Sequence, residues 1–162
     1  MKGDIMSKLE RAYHLHNLGF SILPVRTKRP VLRWRDLQTY RLDPGNFDYW
    51  FAKQRCDVAV ITGKLSGVVA IDCDSEETAT LIAECHTSSP IQQRTPRGRH
   101  YLYRWPGART ANRQKIDGED IDIRGDGGYI VAYRDSENWT KKNLLLAPQF
   151  VLPSYIGSVC NV

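Results

Sequence analysis

The chain has 162 residues, of which 41% are hydrophobic and 25% are charged, and its formal net charge is +5. This length suits a single globular domain over residues 1–162. No apolar run could span a bilayer and the amino terminus lacks the apolar core of a signal peptide, so we expect a cytoplasmic protein with no membrane partner.

Charge is unevenly distributed along the chain. Residues 1–35 carry eight Lys or Arg against two acids, whereas residues 70–86 carry five acids and no Lys or Arg. A basic surface beside an acidic pocket is typical of a protein that holds a polyanion near metal ions. The four cysteines show neither C-x-x-C pairing nor Cys/His ligand spacing, so we expect no structural zinc.

The first predicted elements are scaffold. Ser7 and Glu10 form a capping box for a helix that Gly19 stops. A short strand follows the glycine, and Pro24 is predicted to end it.

A basic loop over residues 26–35 comes next, and it sets Trp34 among arginines and lysines. Cations that track phosphates beside an aromatic face that stacks on a base are typical of nucleic-acid binding. Trp34 could equally anchor the loop in the core, while Lys28 and Arg29 could be solvated. Both interpretations stay open on the sequence alone.

The middle of the chain predicts a helix and a buried strand. Asp43 and Pro44 read as an N-cap and a first helical residue, and the helix continues through the aromatic Phe47. Residues 57–63 are β-branched and apolar and end in Thr-Gly, which predicts a buried strand followed by a turn.

The next strand, over residues 67–74, carries the first candidate site. Side chains two apart share a face of a strand, so Asp72 and Asp74 lie side by side while Cys73 points the other way. Two crowded carboxylates repel unless a cation lies between them, and hard cations such as Mg²⁺ or Mn²⁺ prefer oxygen ligands. The alternative is a solvated pair before the acidic helix 76–86, which Ser75 can cap.

Residues 95–105 form the second informative stretch. Pro96 and Gly98 predict a turn, after which alternation places His100 and Arg104 on one face of a strand. A histidine at the start of a strand and next to a turn is well placed to meet a triphosphate. A hydrogen-bonded structural histidine is the alternative.

Residues 119–132 form the third stretch, and their alternation predicts a hairpin. Asp120, Asp122 and Arg124 share one face of the first strand, and residues 125–128 form its glycine-rich turn. That turn lacks the Lys-Ser/Thr pair and the helix of a phosphate-binding loop, so we do not interpret it as one.

Taken together, the stretches resemble the bifunctional DNA primase/polymerase domain of the archaeo-eukaryotic primase superfamily. The resemblance runs over a core of about residues 9–153. It rests on an ordered set of motifs: Lys28-x-Pro30-x-x-x-Trp34, Thr62-Gly63, Ser66-Gly67, Asp72-x-Asp74, Thr95-Pro96-Arg97-Gly98-Arg99-His100 and Asp122-Ile123-Arg124-Gly125-Asp126-Gly127-Gly128-Tyr129.

The resemblance implies an α+β fold, in which a mixed β-sheet with packed helices forms a catalytic core like the RNA-recognition motif. By likeness, Asp72, Asp74 and Asp122 are ligands of two Mg²⁺ or Mn²⁺ ions, with Asp120 a runner-up for the third place. His100 is the nucleotide-binding histidine. Arg97, Arg99 and Lys28 would contact triphosphate or template phosphates.

The implied function is template-directed nucleotidyl transfer in phage or plasmid DNA replication. Its partners would be a DNA template and primer, deoxynucleoside or nucleoside triphosphates, and a separate helicase or accessory domain. A metal-dependent nuclease is one alternative, although many nucleases place a lysine two residues after the second acid, where this chain has Glu76. A non-catalytic nucleic-acid-binding module is the other alternative.

Overall fold

The computed structural model describes residues 4–153 of the chain and has an α+β architecture. Within those residues there are three α-helices and eight β-strands, so the predicted fold class is confirmed. The helices are α1 (Lys8–Asn17), α2 (Glu76–Cys85) and α3 (Lys141–Leu146). The strands are β1 (Ser21–Arg26), β2 (Arg29–Pro30), β3 (Asp57–Ile61), β4 (Val68–Cys73), β5 (Gln92–Arg94), β6 (Arg99–Arg104), β7 (Ile121–Arg124) and β8 (Tyr129–Val131).

The strands are divided between two four-stranded sheets, where the sequence analysis expected one mixed sheet. The first sheet has the order β2-β1-β3-β8 and the second has the order β5-β6-β4-β7. All six strand pairs are antiparallel. Parallel pairing among the described residues is confined to isolated bridges, such as that between Arg104 and Gln149.

The central core lies between the two sheets. Alternate residues of β4, among them Val68 and Ala70, meet residues of the first sheet such as Val60 and Ile130. Because side chains alternate along a strand, the next members of the same β4 row are Asp72 and Asp74. The face of β4 that builds the core therefore becomes acidic at the end of the strand.

The opposite face of the second sheet is apolar throughout. Val69, Ile71 and Cys73 pack there against α2, which contributes Ala79 and Ile82. Burial, with the nearby aspartates, raises the pKa of the Cys73 thiol to about 12, as expected for a group in a dry core. The acids of β4 are thus backed by a rigid hydrophobic layer.

The helix-start predictions are confirmed in their capping chemistry. Ser7 and Glu10 form the reciprocal capping box of α1, and Ser75 caps α2 through the Thr78 N–H. The Asp43 carboxylate accepts the Gly45 N–H, but no α-helix follows. The chain continues instead as a 3₁₀ turn and a π-helical segment, Asp48–Lys53, from which Phe51 enters the core.

Pro24 lies inside β1, and the prediction that it ends the strand is wrong. Its carbonyl oxygen accepts the Val31 N–H at 3.2 Å, and β1 continues to Arg26. The neighbouring β2 is only two residues long, so Pro24 lies beside its end. A missing N–H is tolerated at such a position.

The predicted hairpin of residues 119–132 is also wrong, because β7 belongs to the second sheet and β8 to the first. The glycine-rich turn of residues 125–128 carries the chain from one sheet to the other. Asp126 holds this turn, since its carboxylate accepts N–H groups from Lys64, Thr110 and the Trp105 indole at 2.8–3.0 Å. Alternation is local, and it cannot show which longer strand each segment will pair with.

Within residues 4–153, none of the helices combines the length and the apolar composition that crossing a membrane requires.

Candidate functional site

Strand register brings three of the predicted site residues into one row of the second sheet. Asp72 on β4 lies directly opposite His100 on β6 and, on its other side, directly opposite Asp122 on β7. Residues opposite each other in antiparallel strands project to the same face. The Asp122 side chain is therefore on the same face as Asp72, while Asp74 follows two residues along β4.

Asp72 is the most enclosed member of this acidic face, with 13% of its side chain exposed. Its Oδ1 lies 3.1 Å from His100 Nε2, and its Oδ2 lies 3.5 Å from the Arg124 guanidinium. Burial raises the pKa of this carboxyl, but the His100 hydrogen bond and the Arg124 charge lower it further, so it lies below its ordinary value. Asp72 is therefore ionised at neutral pH.

Arg124 bridges two acids of the face. Its guanidinium donates to Asp122 Oδ2 at 2.8 Å as well as lying beside Asp72 Oδ2. The other oxygen of Asp122 accepts the backbone N–H of Lys115 at 2.9 Å. A protein cation thus sits between the two carboxylates and offsets their repulsion.

Asp74 is paired with the turn that precedes β6. Arg97 lies 3.2 Å from Asp74 Oδ2, and both side chains are partly exposed. Gly98 allows this turn to approach β4, because a Cβ at position 98 would overlap the carbonyl oxygen of Cys73. The backbone N–H of Asp74 donates to Asp120 O at 2.9 Å, whereas the Asp120 side chain is exposed.

His100 is held by a buried amide that fixes its tautomer. The backbone N–H of Tyr133 donates to Gln93 Oε1 at 2.8 Å, and Gln93 Nε2 donates to Val131 O at 2.8 Å, which settles the orientation of the amide. Gln93 Nε2 also lies 2.8 Å from His100 Nδ1, so that ring nitrogen accepts. The ring proton is then on Nε2 and points at Asp72.

A cavity of about 310 Å³ opens over the acidic face. One wall comes from the second sheet and the turn before β6, and it includes Asp72, Asp74, Arg97, His100 and Arg124. The other wall comes from the first sheet and its loops: Lys28, Tyr129, Ile130 and Val131. The cavity is thus a cleft between the two sheets, acidic on one side and closed by a basic loop on the other.

The structure distributes the predicted site residues unequally. Asp72, Asp74, Arg97, His100 and Lys28 line the cavity. Asp122 is not part of the cavity wall and reaches it through Arg124. Arg99 points to the other face of β6, where it donates to Gln92 Oε1 at 3.0 Å, and the exposed Asp120 is also outside the wall.

The donor chemistry of the face fits a hard divalent cation, because its three carboxylates supply oxygen ligands on one surface. Among residues 4–153, however, no three His, Cys, Asp or Glu side chains already form a metal-binding group. Arg124 and Arg97 satisfy the carboxylates instead. Metal binding would require these two side chains to turn away from the acids they now contact.

Two contributors to the site were missed by sequence reasoning. Gln93 lies in a short polar strand without a hydrophobic pattern, so nothing in its neighbourhood predicts that it is completely buried beside His100. Arg124 was placed on the acidic face, but its position between two acids depends on the β4–β7 register. Register of that kind is a tertiary property.

Replacing Gln93 by Leu is expected to destabilise the protein and to release the His100 tautomer. The substitution leaves the Tyr133 N–H and the Val131 carbonyl without their buried partner, which costs about 1–3 kcal/mol in the free energy of unfolding. Chemical denaturation measures this loss, and ¹⁵N spectra of the His100 ring report the tautomer. Gln54→Leu, at an exposed glutamine, is the matched control. A wild-type ring protonated on Nδ1 alone would contradict the arrangement.

Comparison with protein families matches residues 12–144 to the family described as "Bifunctional DNA primase/polymerase, N-terminal". The match covers most of the chain and includes every residue of the acidic face. No curated protein matches the chain.

Proposed function

The chain belongs to the family of bifunctional DNA primase/polymerase N-terminal domains, and from this premise we propose that it catalyses template-directed nucleotidyl transfer at the cleft. The observation that carries the proposal is the single row of Asp122, Asp72 and His100 across three adjacent strands. Phosphoryl transfer to a primer 3′-hydroxyl requires carboxylates and a phosphate-binding group held on one rigid surface.

Asp72, Asp74 and Asp122 would hold Mg²⁺ or Mn²⁺, which when bound activates the attacking hydroxyl and stabilises charge on the triphosphate. The protein's own contribution is placement. The antiparallel register fixes Asp72 and Asp122 side by side, and the hydrophobic layer with α2 keeps the strand from shifting. Asp74 is at the end of β4, where the cleft is open.

The cations of the cleft would bind the triphosphate. Arg97 and Lys28 line opposite walls, so a triphosphate between them would meet positive charge from both sides. His100 presents an N–H from Nε2 that a phosphate oxygen could accept if the ring turned from Asp72. Arg99 is given no role, because it faces the other side of β6.

The proposal places the chain in phage-type or plasmid-type DNA replication. Its partners would be a template strand, a primer and deoxynucleoside or nucleoside triphosphates. A separate helicase or accessory domain would open the duplex.

A primer-extension assay tests the function. The protein is incubated with a labelled primer annealed to a longer template, with deoxynucleoside or nucleoside triphosphates in turn, and with Mg²⁺ or Mn²⁺. Lengthening of the primer by templated nucleotides supports the proposal. Shortening would identify a nuclease, and retention of an unchanged primer would identify a non-catalytic binding module, so either result would overturn it.

Arg124 provides a test of the metal assignment that needs no catalysis. Because its guanidinium now offsets the charges of Asp72 and Asp122, it competes with a divalent cation for them. Arg124→Gln is expected to bind Mn²⁺ about tenfold more tightly than the wild type, a difference of about 1.4 kcal/mol. Calorimetric titration with Mn²⁺ in the absence of nucleotide measures it.

The matched control is Arg113→Gln, which removes the same charge from an exposed side chain. Arg113→Gln should bind Mn²⁺ as the wild type does. Weaker Mn²⁺ binding by Arg124→Gln than by Arg113→Gln would mean that Arg124 organises the acids for the metal rather than competing with it.

A further inference from the structure

A second cavity, of about 290 Å³, adjoins the cleft and has no part in the chemistry proposed above. The two cavities share Gly127, in the turn that connects the sheets. Gly127 has φ +80°, and a Cβ built there would lie 3.6 Å from Gln38 Oε1 and 3.9 Å from Asn112 Nδ2. The passage between the cavities is therefore a saddle without a side chain of its own, flanked by two amides.

The wall of the second cavity carries two exposed cations, Lys64 and Arg109. Neither side chain forms an ion pair among residues 4–153. Asp126 is the acid in this wall, and its carboxylate already accepts three N–H groups. One anion against two cations leaves the wall with a net positive charge.

A further cation lies at the rim. The Arg41 guanidinium donates to the carbonyl of Leu65 at 2.9 Å, and Leu65 lines the second cavity. Across the saddle, Lys28 lies on the wall of the cleft. Basic side chains are thus arranged from the cleft over the glycine saddle to the second cavity.

We propose that the second cavity binds a backbone phosphate of the single-stranded DNA that enters the cleft. This identification of the ligand rests on the proposed function. A solvated lysine and an arginine without acidic partners suit a phosphodiester, whose charge they neutralise while releasing counterions. The glycine saddle leaves room for a sugar-phosphate backbone, and the flanking amides of Gln38 and Asn112 can hydrogen bond to it.

Binding of labelled oligothymidylate, followed by fluorescence anisotropy over a range of salt concentrations, tests the site. Lys64→Gln/Arg109→Gln is compared with Lys141→Gln/Lys142→Gln, which removes the same charge from exposed lysines of α3 that line neither cavity. The first variant should lower the slope of log affinity against log salt by about 1.4, because each lost phosphate contact on a single strand removes about 0.7. The second variant should keep the wild-type slope.

Each outcome decides between the site and the proposed function. An unchanged slope and affinity in Lys64→Gln/Arg109→Gln would overturn the site, even if primer extension stayed intact. The expected loss of slope in a protein that extends no primer would sustain the site and reject the proposed function. A loss of triphosphate binding with DNA binding unchanged would assign the cavity to a nucleotide and overturn the inference. Both side chains are exposed and unpaired, so thermal unfolding should be unaffected.

Discussion

Asp72→Asn is expected to abolish nucleotidyl transfer, with a loss of about a thousandfold or more in the rate of single-nucleotide extension. Asn keeps the shape of the side chain but removes the charge that faces both His100 and Arg124. It also removes the central oxygen ligand of the acidic face, which lies between the other members of the row. A rapid-quench extension assay on an annealed primer-template measures the loss.

Binding of the primer-template should survive in Asp72→Asn, because the substitution removes an acid and no phosphate contact. Anisotropy with the same DNA checks this point. Asp48→Asn, at an exposed acid paired with Lys53, controls for the loss of one negative charge and should leave both activities unchanged. If DNA binding and extension fell together in Asp72→Asn, Asp72 would be a structural residue.

Asp126→Ala is expected to cause the largest loss of stability, about 3 kcal/mol in the free energy of unfolding. Its carboxylate accepts three N–H groups, and the substitution leaves these donors without their acceptor. The packing is also tight, since a Cβ on Gly63 would lie 2.6 Å from the Asp126 side chain. Denaturant unfolding of Asp126→Ala beside Asp48→Ala measures the effect.

The pH dependence of stability gives a second readout for Asp126. Burial raises the pKa of this carboxyl, but the N–H donors and the Arg109 charge lower it further, to below its ordinary value. A lowered folded-state pKa contributes stability above about pH 4, and that stability is lost as the pH falls through the folded value. Asp126→Ala should therefore lose less stability than the wild type on acidification from neutral pH. Parallel acid-unfolding curves for the two proteins would contradict this.

The local features of the fold were predictable because short-range physics determines them. The capping box of Ser7 and Glu10 needs only residues three apart, and the position of β4 follows from its β-branched run. The shared face of Asp72 and Asp74 follows in the same way from alternation. Each of these predictions required one segment of chain and no knowledge of its neighbours.

Features that depend on strand partners were not predictable. The alternation of residues 119–132 suited a hairpin equally well, and only the pairing of β7 with β4 and of β8 with β3 excludes it. The same pairing places Asp122 beside Asp72 and inserts Arg124 between them. Gln93 carries no local signal either, because it is a polar residue whose burial follows from its place opposite His100.

The dependence of the acidic face on register sets limits on how this protein can change by insertion and deletion. Losing one residue inside β7 would turn Asp122 to the apolar side and bring Ile123 over the cleft, whereas losing two would preserve the alternation. The connection between β6 and β7 is long and carries none of the acidic face, so it can vary in length freely. Descendants of such a chain should therefore differ in the lengths of their loops, while β4, β6 and β7 change only by substitution.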